Sequence, residues 1–395
     1  MGLLSAVMLL VRRVQNPIVT CCRHYRVKKK WATTLPHVAS SRFALQYFDT
    51  NYSLQFQDLW PSIRISLLSE QKYGALLNNF SRQEMVAQHL TSLHSTDFLS
   101  EARQVIGESP EMMDEDRLSP EPSSTSMEES GRDTVTSLSS TAFTCYTFPR
   151  GDISRFPSPR VDMSGLLEYY LMDAASLLPV LALDVQPGHS VLDLCAAPGG
   201  KTLALLMQNC RFLAANDKSA SRTQRLHKVL HSFIPRHLFK EDRVRVTSWD
   251  GTEWPDQGVF DRVLVDAPCT ADRHSLLEEE NNIFHRMRMK ERQMLPALQT
   301  ALLVSGLRAV APGGDVVYAT CSLSQLQNEL VVERALDIAD SEHGIRASIR
   351  DLRPFQEIFR NTFNFHTNCR IGELVVPHLT ANFGPMYFCK LRRAC

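Results

Sequence analysis

The run 191–202, Val-Leu-Asp-Leu-Cys-Ala-Ala-Pro-Gly-Gly-Lys-Thr, restricts the possible folds of this chain more than any other stretch. An apolar segment carrying one acid, Asp193, stops at Pro198-Gly199-Gly200, and a helix-compatible run over 202–207 begins at once. Strand, glycine turn, helix is the order that opens a nucleotide-binding α/β domain. Glycine at the turn lets the backbone pass close to a ligand, because it has no Cβ and accepts positive φ. Two better-known loops are excluded. A P-loop needs glycine five residues before its Gly-Lys, and Cys195 stands there. The dinucleotide fingerprint G-x-G-x-x-G is absent from the turn. A glycine turn without a phosphate cradle suits a nucleoside-type cofactor.

Beyond that strand, extended and helical runs alternate. Strands are expected at 213–216, 243–247, 261–265 and 315–319, with helices over 219–232, about 289–310 and 323–339. This repetition predicts a doubly wound, mostly parallel sheet of Rossmann-like type. The stretches 372–376 and 384–391 are expected to close it as an antiparallel pair. Upstream, 143–152 reads as strand and turn, and 165–183 as a helix kinked or restarted near Pro179. The aromatic-rich segment 43–80 reads as short helices packing on the larger body, although exposed rings with Arg64 and Lys72 could stack RNA bases instead.

The ends of the chain organisation are set by charge. No acidic residue precedes Asp49, whereas Arg12, Arg13, Arg23, Arg26 and Lys28, Lys29 and Lys30 all do. A hydrophobic and basic start with Ser and Thr resembles a mitochondrial transit peptide, expected over 1–35, although a nucleic-acid-binding arm is an alternative. Its apolar run over 3–11 is too short to span a bilayer, and no other stretch approaches that length. A helical extension is expected over 36–105. Between 108 and 129, eight acids face the single Arg117 among Ser and Pro, so 106–141 is expected to be a disordered insertion. The catalytic domain is then 142–395. Of the ten cysteines none forms a C-x-x-C or Cys/His zinc spacing, so no metal site is expected.

In doubly wound sheets, ligands bind outside the carboxyl ends of the strands. The polar residues fall at those ends. Gly199 and Gly200 follow the first strand, Asp217 the second, Asp250 the third, Asp266 and Cys269 the fourth, and Cys321 the fifth. Asp217 is placed to accept from both hydroxyls of a ribose, and Asp250 from an adenine amino group. Each acid alone could be a helix N-cap; together they point to one site. Two cysteines at adjacent strand ends suggest thiolate chemistry, with a disulfide or inert buried thiols as the alternatives. Arg273 and His274 near Cys269, and a helix starting at Cys321, would lower the thiol pKa values.

Asp266-Ala267-Pro268-Cys269 with Thr320-Cys321-Ser322, after Pro198-Gly199-Gly200-Lys201-Thr202, resembles the Nop/Sun-domain family of RNA cytosine-5 methyltransferases. The resemblance covers about 141–395. The helix-like 167–180, Asp272-Arg273-His274-Ser275, the run 278–284 and the run 382–390 are similar to its mitochondrial small-subunit ribosomal RNA member. The resemblance implies a methyltransferase fold binding S-adenosyl-L-methionine, lined by Gly199, Gly200, Lys201, Asp217, Arg222, Asp250, Gly251 and Asp266. It assigns covalent attack on cytosine C6 to Cys321 and assistance in release to Cys269, with Asp266 at the N3/N4 edge of the ring. Activation through C6 is needed because cytosine C5 is a poor nucleophile. Methylation of an exocyclic amine would need an Asp/Asn-Pro-Pro-aromatic turn, which Ala267 and Cys269 break.

Without the seven basic residues of the start, the chain carries an acidic excess of seven, which the acidic insertion accounts for. The remaining body is near-neutral, and RNA affinity rests largely on phosphate neutralisation. Help from a basic partner is therefore expected. The resemblance implies a mitochondrial transcription-termination-factor-like helical repeat protein, with mitochondrial ribosomal RNA and mitoribosomal subunits as further partners, in the matrix and off the membrane. A non-catalytic ribosome-assembly factor using the same fold is the alternative, and a DNA substrate a weaker one.

Overall fold

A computed structural model describes residues 38–107, 141–240 and 242–395. The expected transit peptide at 1–35, and all but the edges of the expected insertion at 106–141, lie outside the described residues. Ser40–Cys395 form one compact unit.

The described chain opens with α1 (Ser40–Phe56) and α2 (Trp60–Leu68). Ala44, Phe48, Tyr52 and Phe56 are spaced four apart, so they share one face of α1, and all four are buried. There follow β1 (Gly74–Leu77), α3 (Gln83–Ser92), β2 (Thr96–Asp97) and α4 (Phe98–Gly107), then β3 (Cys145–Thr147) and β4 (Tyr169–Met172). The four strands pair antiparallel in the order β2-β3-β1-β4.

This small sheet corrects two expectations. The segment 36–105 is not wholly helical, and 165–183 is not one helix. Gly-Ala-Leu-Leu is buried on both faces: Leu76 enters the main core, while Ala75 and Leu77 meet Val86 and Leu90. A short, continuously apolar strand carries no alternation to distinguish it from a helix. Its partner, Tyr169–Met172, is matched residue by residue to Leu77–Gly74 across a long sequence gap. Asp173 then caps a 3-10 turn over 174–177, and Pro179 lies in the first turn of α5 (Leu178–Leu183). Proline there begins the helix, since its missing N–H would be unpaired anyway.

The main body runs β5 (Ser190–Asp193), α6 (Gly200–Met207), β6 (Phe212–Asn216), α7 (Ala220–Phe233), β7 (Val244–Thr247), β8 (Phe260–Asp266) and α8 (Asp272–Leu277). It continues with α9 (Met289–Ala309), β9 (Val310–Thr320), α10 (Glu329–His343), β10 (Ala347–Ile349), α11 (Pro354–Ile358), β11 (Glu373–Val375) and β12 (Met386–Arg393). The sheet order is β10-β12-β9-β8-β5-β6-β7, with β11 also on β12. The strands from β7 to β9 are parallel and β12 is antiparallel to β9. The expected doubly wound sheet and its antiparallel closing pair are both present. Val191 packs in the core layer with Leu203, Leu226 and Leu230, and its neighbour Leu192 in the layer with Leu302, Leu303 and Val332. Burial on both faces explains why these strands read as unbroken apolar runs.

Two boundaries differ from expectation. β9 already begins at Val310, and its pairing with β8 slips between Phe260 and Arg262, so Pro312-Gly313-Gly314 is an irregular part of the strand. α10 begins at Glu329, so residues 321–328 form a loop. The strand order reverses between β5 and β8, which opens the ligand crevice at their carboxyl ends.

Candidate active site

At the end of β5, Asp193 is buried and accepts from the Thr202 hydroxyl at 2.7 Å, which ties the strand to α6. Burial, opposed by that bond, pushes its carboxyl up to about 7. Gly199 has φ of +122°, and a Cβ there would lie 2.9 Å from Leu226 Cδ1. Glycine is therefore required twice, by the backbone and by the close approach of α7. Lys201 in the first turn of α6 points to β8, where its Nζ meets Asp266 Oδ2 at 2.8 Å.

At the end of β6, Asp217 is buried. One carboxylate oxygen accepts from Ser219 N, and the other has no hydrogen bond, only the Arg222 guanidinium 3.3 Å away. Arg222 also donates to the Ala197 carbonyl at 2.6 Å, joining the β5 turn to α7. At the end of β7, Asp250 caps the turn 251–253 through the Thr252 amide and pairs with Lys218. The hydrogen bond from Lys218 is the main reason its carboxyl lies below the usual range. The N-cap alternative thus holds for Asp250 through Oδ1, while its other oxygen accepts from Lys218. Gly251 faces inward, since a Cβ would lie 2.9 Å from Leu302 Cδ2. Its side-chain absence serves packing of α9. Trp249, beside Asp250, is half exposed, with its ring 5.2 Å from that of Trp254.

The ends of β8 and β9 bring the two cysteines together, with Cys269 Sγ 3.3 Å from Cys321 Sγ. Both are free thiols, so the disulfide alternative is not what the structure shows. The hydrogen bond with Cys321, then burial, pushes the Cys269 thiol well up. The expected cationic neighbours of Cys269 are committed elsewhere. Arg273 is buried and donates to the carbonyls of Ser66, Ser69 and Gly384, and His274 bonds the Glu280 carbonyl. Cys321 does not begin a helix either, because α10 starts at Glu329. The cation whose charge reaches Cys321 is Lys201. Its burial opposes the charge, but Asp266, reinforced by Cys321 and Asp193, holds its ammonium above the ordinary range.

A buried polar network fixes the two cysteine loops to each other. Asp272 accepts from the Leu323 amide at 2.8 Å and from the Tyr52 hydroxyl at 2.7 Å, and its own amide donates to the Cys321 carbonyl. The Gln327 carboxamide bonds Thr270 and Ser322, the residues next to each cysteine. Asn328 holds Thr320 and Ser322 in the same way. Tyr52, Gln327 and Asn328 carried no sequence signal for this role, and Asp272 entered only within a resembling motif. Their spacing along the chain is irregular, and only the fold joins them.

The parallel sheet and its switch-point crevice, with Asp217 and the thiol pair at its strand ends, are those of a methyltransferase of the Rossmann-like class. Residues 180–391 match the model of the family described as 16S rRNA methyltransferase RsmB/F. The chain belongs to this family, that of the S-adenosylmethionine-dependent RNA cytosine-5 methyltransferases. It is 63% identical to "5-cytosine rRNA methyltransferase NSUN4" of Xenopus laevis, over 97% of this chain and 98% of that protein. It is 55% identical to the protein of the same name from Bos taurus, over 98% and 99%. Identity to the mitochondrial "tRNA (cytosine(34)-C(5))-methyltransferase" of Danio rerio is 37%, over 88% and 87%. Among solved structures, NSun6 from Pyrococcus horikoshii has a TM-score of 0.54 at 17% identity, covering 88% of this chain and 97% of that one. A methyltransferase homologue from the same organism matches at TM-score 0.54 and 21% identity, over 90% and 98%. These two likenesses concern the fold.

Proposed function

We propose that this protein methylates C5 of a cytosine in the small-subunit ribosomal RNA of mitochondria, through a covalent adduct between Cys321 and C6. The observation that carries the reading is the thiol pair at 3.3 Å with the Lys201–Asp266 pair beside it. The resemblance to the RNA enzymes assigns the attack to Cys321, with the Cys269 thiol, held up by its hydrogen bond with Cys321 and by burial, as its immediate neighbour. The Cys321 S–C6 bond forms as the C5=C6 electrons shift towards C5. S-adenosylmethionine, when bound, supplies the methyl group that C5 takes up. The C5 proton then leaves to solvent, its electrons restore C5=C6, and the S–C6 bond breaks. Cys269, as a proton-bearing neighbour of that sulfur, stabilises the departing thiolate. Asp266 holds the N3/N4 edge of the ring, and Lys201 offsets the negative charge that builds beside it.

The residues fit the cofactor. The Asp217 oxygen that accepts no hydrogen bond suits ribose hydroxyls, and Asp250 with Trp249 at the next strand end suits the adenine. Gly199 and Gly200 form the turn at the methionine end, which Arg222 of α7 holds through the Ala197 carbonyl, with Lys201 and Asp266 on its inner side. Gly251 shapes this wall through its packing. The base would have to be unpaired or flipped out of its stack to reach the sulfur.

Mitochondrial matrix location is supported by the basic, acid-free start of the chain and by its relative in Danio rerio whose name includes "mitochondrial". Formal net charge of +0 favours action with a basic partner, for which we infer a transcription-termination-factor-like helical repeat protein, in a step of mitoribosome assembly. The test is bisulfite sequencing of mitochondrial RNA with and without the protein, and again with Cys321→Ala. A cytosine in the small-subunit RNA should lose its methyl in both deficient cases. Retention with Cys321→Ala would overturn the mechanism, and retention without the protein would leave the assembly role alone.

A further inference from the structure

On the carboxyl-edge side of the sheet, an open hollow of about 620 Å³ lies between α1 and the start of α9. Phe43 and Tyr47 line one wall, and Phe284 the other, with Arg286 and Arg292 at its rim. The Arg286 guanidinium stands 5.3 Å from the Phe43 ring centroid and that of Arg292 4.5 Å from Phe284. Among the described residues, Arg286 makes no ion pair and no hydrogen bond. The Gln46 carboxamide and the Tyr47 hydroxyl, both exposed, are also without a protein hydrogen-bond partner there. Two neighbouring carboxylates are already committed, Glu279 to the amides of Ser40 and Ser41 and Glu291 to Arg288.

The hollow is coupled to the cysteine loops through packed rings. Phe284 meets Phe48 at 5.2 Å, Phe48 stacks on Tyr52 at 5.0 Å, and Tyr52 donates to Asp272, whose amide holds the Cys321 carbonyl. The exposed Tyr47 ring, the unpartnered Gln46 carboxamide and a guanidinium without a carboxylate form the set that single-stranded RNA uses: stacking, base-edge hydrogen bonding and phosphate neutralisation. An apolar protein segment would complement the rings but would leave the Arg286 charge unanswered.

We propose that this hollow takes one unstacked nucleotide of the substrate RNA, its base against Tyr47 and Phe43 and its phosphate at Arg286. The proposal rests on the chain acting on RNA. It also supplies part of the affinity that a near-neutral body lacks.

The test is the equilibrium binding of a fluorescein-labelled single-stranded oligouridine containing one cytidine, by anisotropy, over a series of salt concentrations. Tyr47→Ala should weaken binding about tenfold with the salt slope unchanged, and Tyr47→Phe should bind as the unaltered protein does. Arg286→Gln, at an exposed position that cannot disturb the core, should reduce the salt slope by about 0.7. Affinity for S-adenosylhomocysteine should be unchanged in all three, which reports an intact fold. Oligonucleotide affinity and slope unchanged in Tyr47→Ala and Arg286→Gln would overturn the proposal. Absence of binding by the unaltered protein even at low salt would instead overturn action on single-stranded RNA itself.

Discussion

Cys269 and Cys321 hold their sulfurs 3.3 Å apart although they end different strands and follow different loops. At that distance a hydrogen bond can run between them, and it is the largest cause of the raised Cys269 thiol. The proposed mechanism gives attack to Cys321 and release to Cys269. Cys269→Ala should accumulate RNA–protein adduct that survives denaturing electrophoresis, because the leaving sulfur loses its donor. Cys321→Ala should form none. Clean turnover by Cys269→Ala, without adduct, would show that its thiol has no part in release.

Lys201 is bonded to Asp266 at 2.8 Å, and its charge reaches Cys321. Lys201→Met keeps most of the side-chain volume while removing the charge, and so leaves Asp266 without its ion-pair partner beside the position proposed for the pyrimidine. The methyl-transfer rate should fall by about 10²-fold, in the range of removing one preorganised electrostatic contact. Affinity for S-adenosylhomocysteine, measured by calorimetry, should change far less. A loss confined to cofactor affinity would place Lys201 in the cofactor wall instead.

Much of this site was legible because a parallel strand ends where its chemistry sits. Asp217, Asp250, Asp266, Cys269 and Cys321 each follow an apolar run, and each lies at the carboxyl edge of the sheet. What could not be read was pairing across distance. β1 and β4 look like helical fragments until each is seen as the other's partner, since both faces are apolar. Tyr52 reaches Asp272 across 220 residues, and neither position has a local pattern that points to the other. The environment of the thiols was misjudged for a related reason. Proximity in sequence suggested Arg273 and His274 as their cations, whereas the fold turns those away and brings Lys201 from another strand's turn.

The Tyr52–Asp272 bond is a buried link between α1 and the Cys321 loop, with Asp272 raised mainly by burial. Tyr52→Phe leaves a buried acceptor one donor short, which costs on the order of 1–3 kcal/mol. Denaturant unfolding should show that loss. Methyl transfer should slow as well, because the Leu323 amide and the Cys321 carbonyl share the same anchor. Full activity together with the stability loss would assign Tyr52 to folding alone.

Asp193 offers a pH test with a defined sign. Its carboxyl is raised to about 7 in the folded protein, mainly by burial, so between the unfolded value and 7 the folded state binds more protons. Stability from this residue is therefore greatest at low pH and is lost as pH rises through about 7. Asp193→Asn removes the titration while keeping an acceptor for Thr202. Relative to the unaltered protein, the variant should gain about 3 kcal/mol between pH 5 and pH 8. Urea unfolding of both proteins without cofactor, at those two pH values, measures the difference directly. An identical stability gap at both pH values would mean that Asp193 is ionised throughout, and its bond from Thr202 would then be between a hydroxyl and a carboxylate.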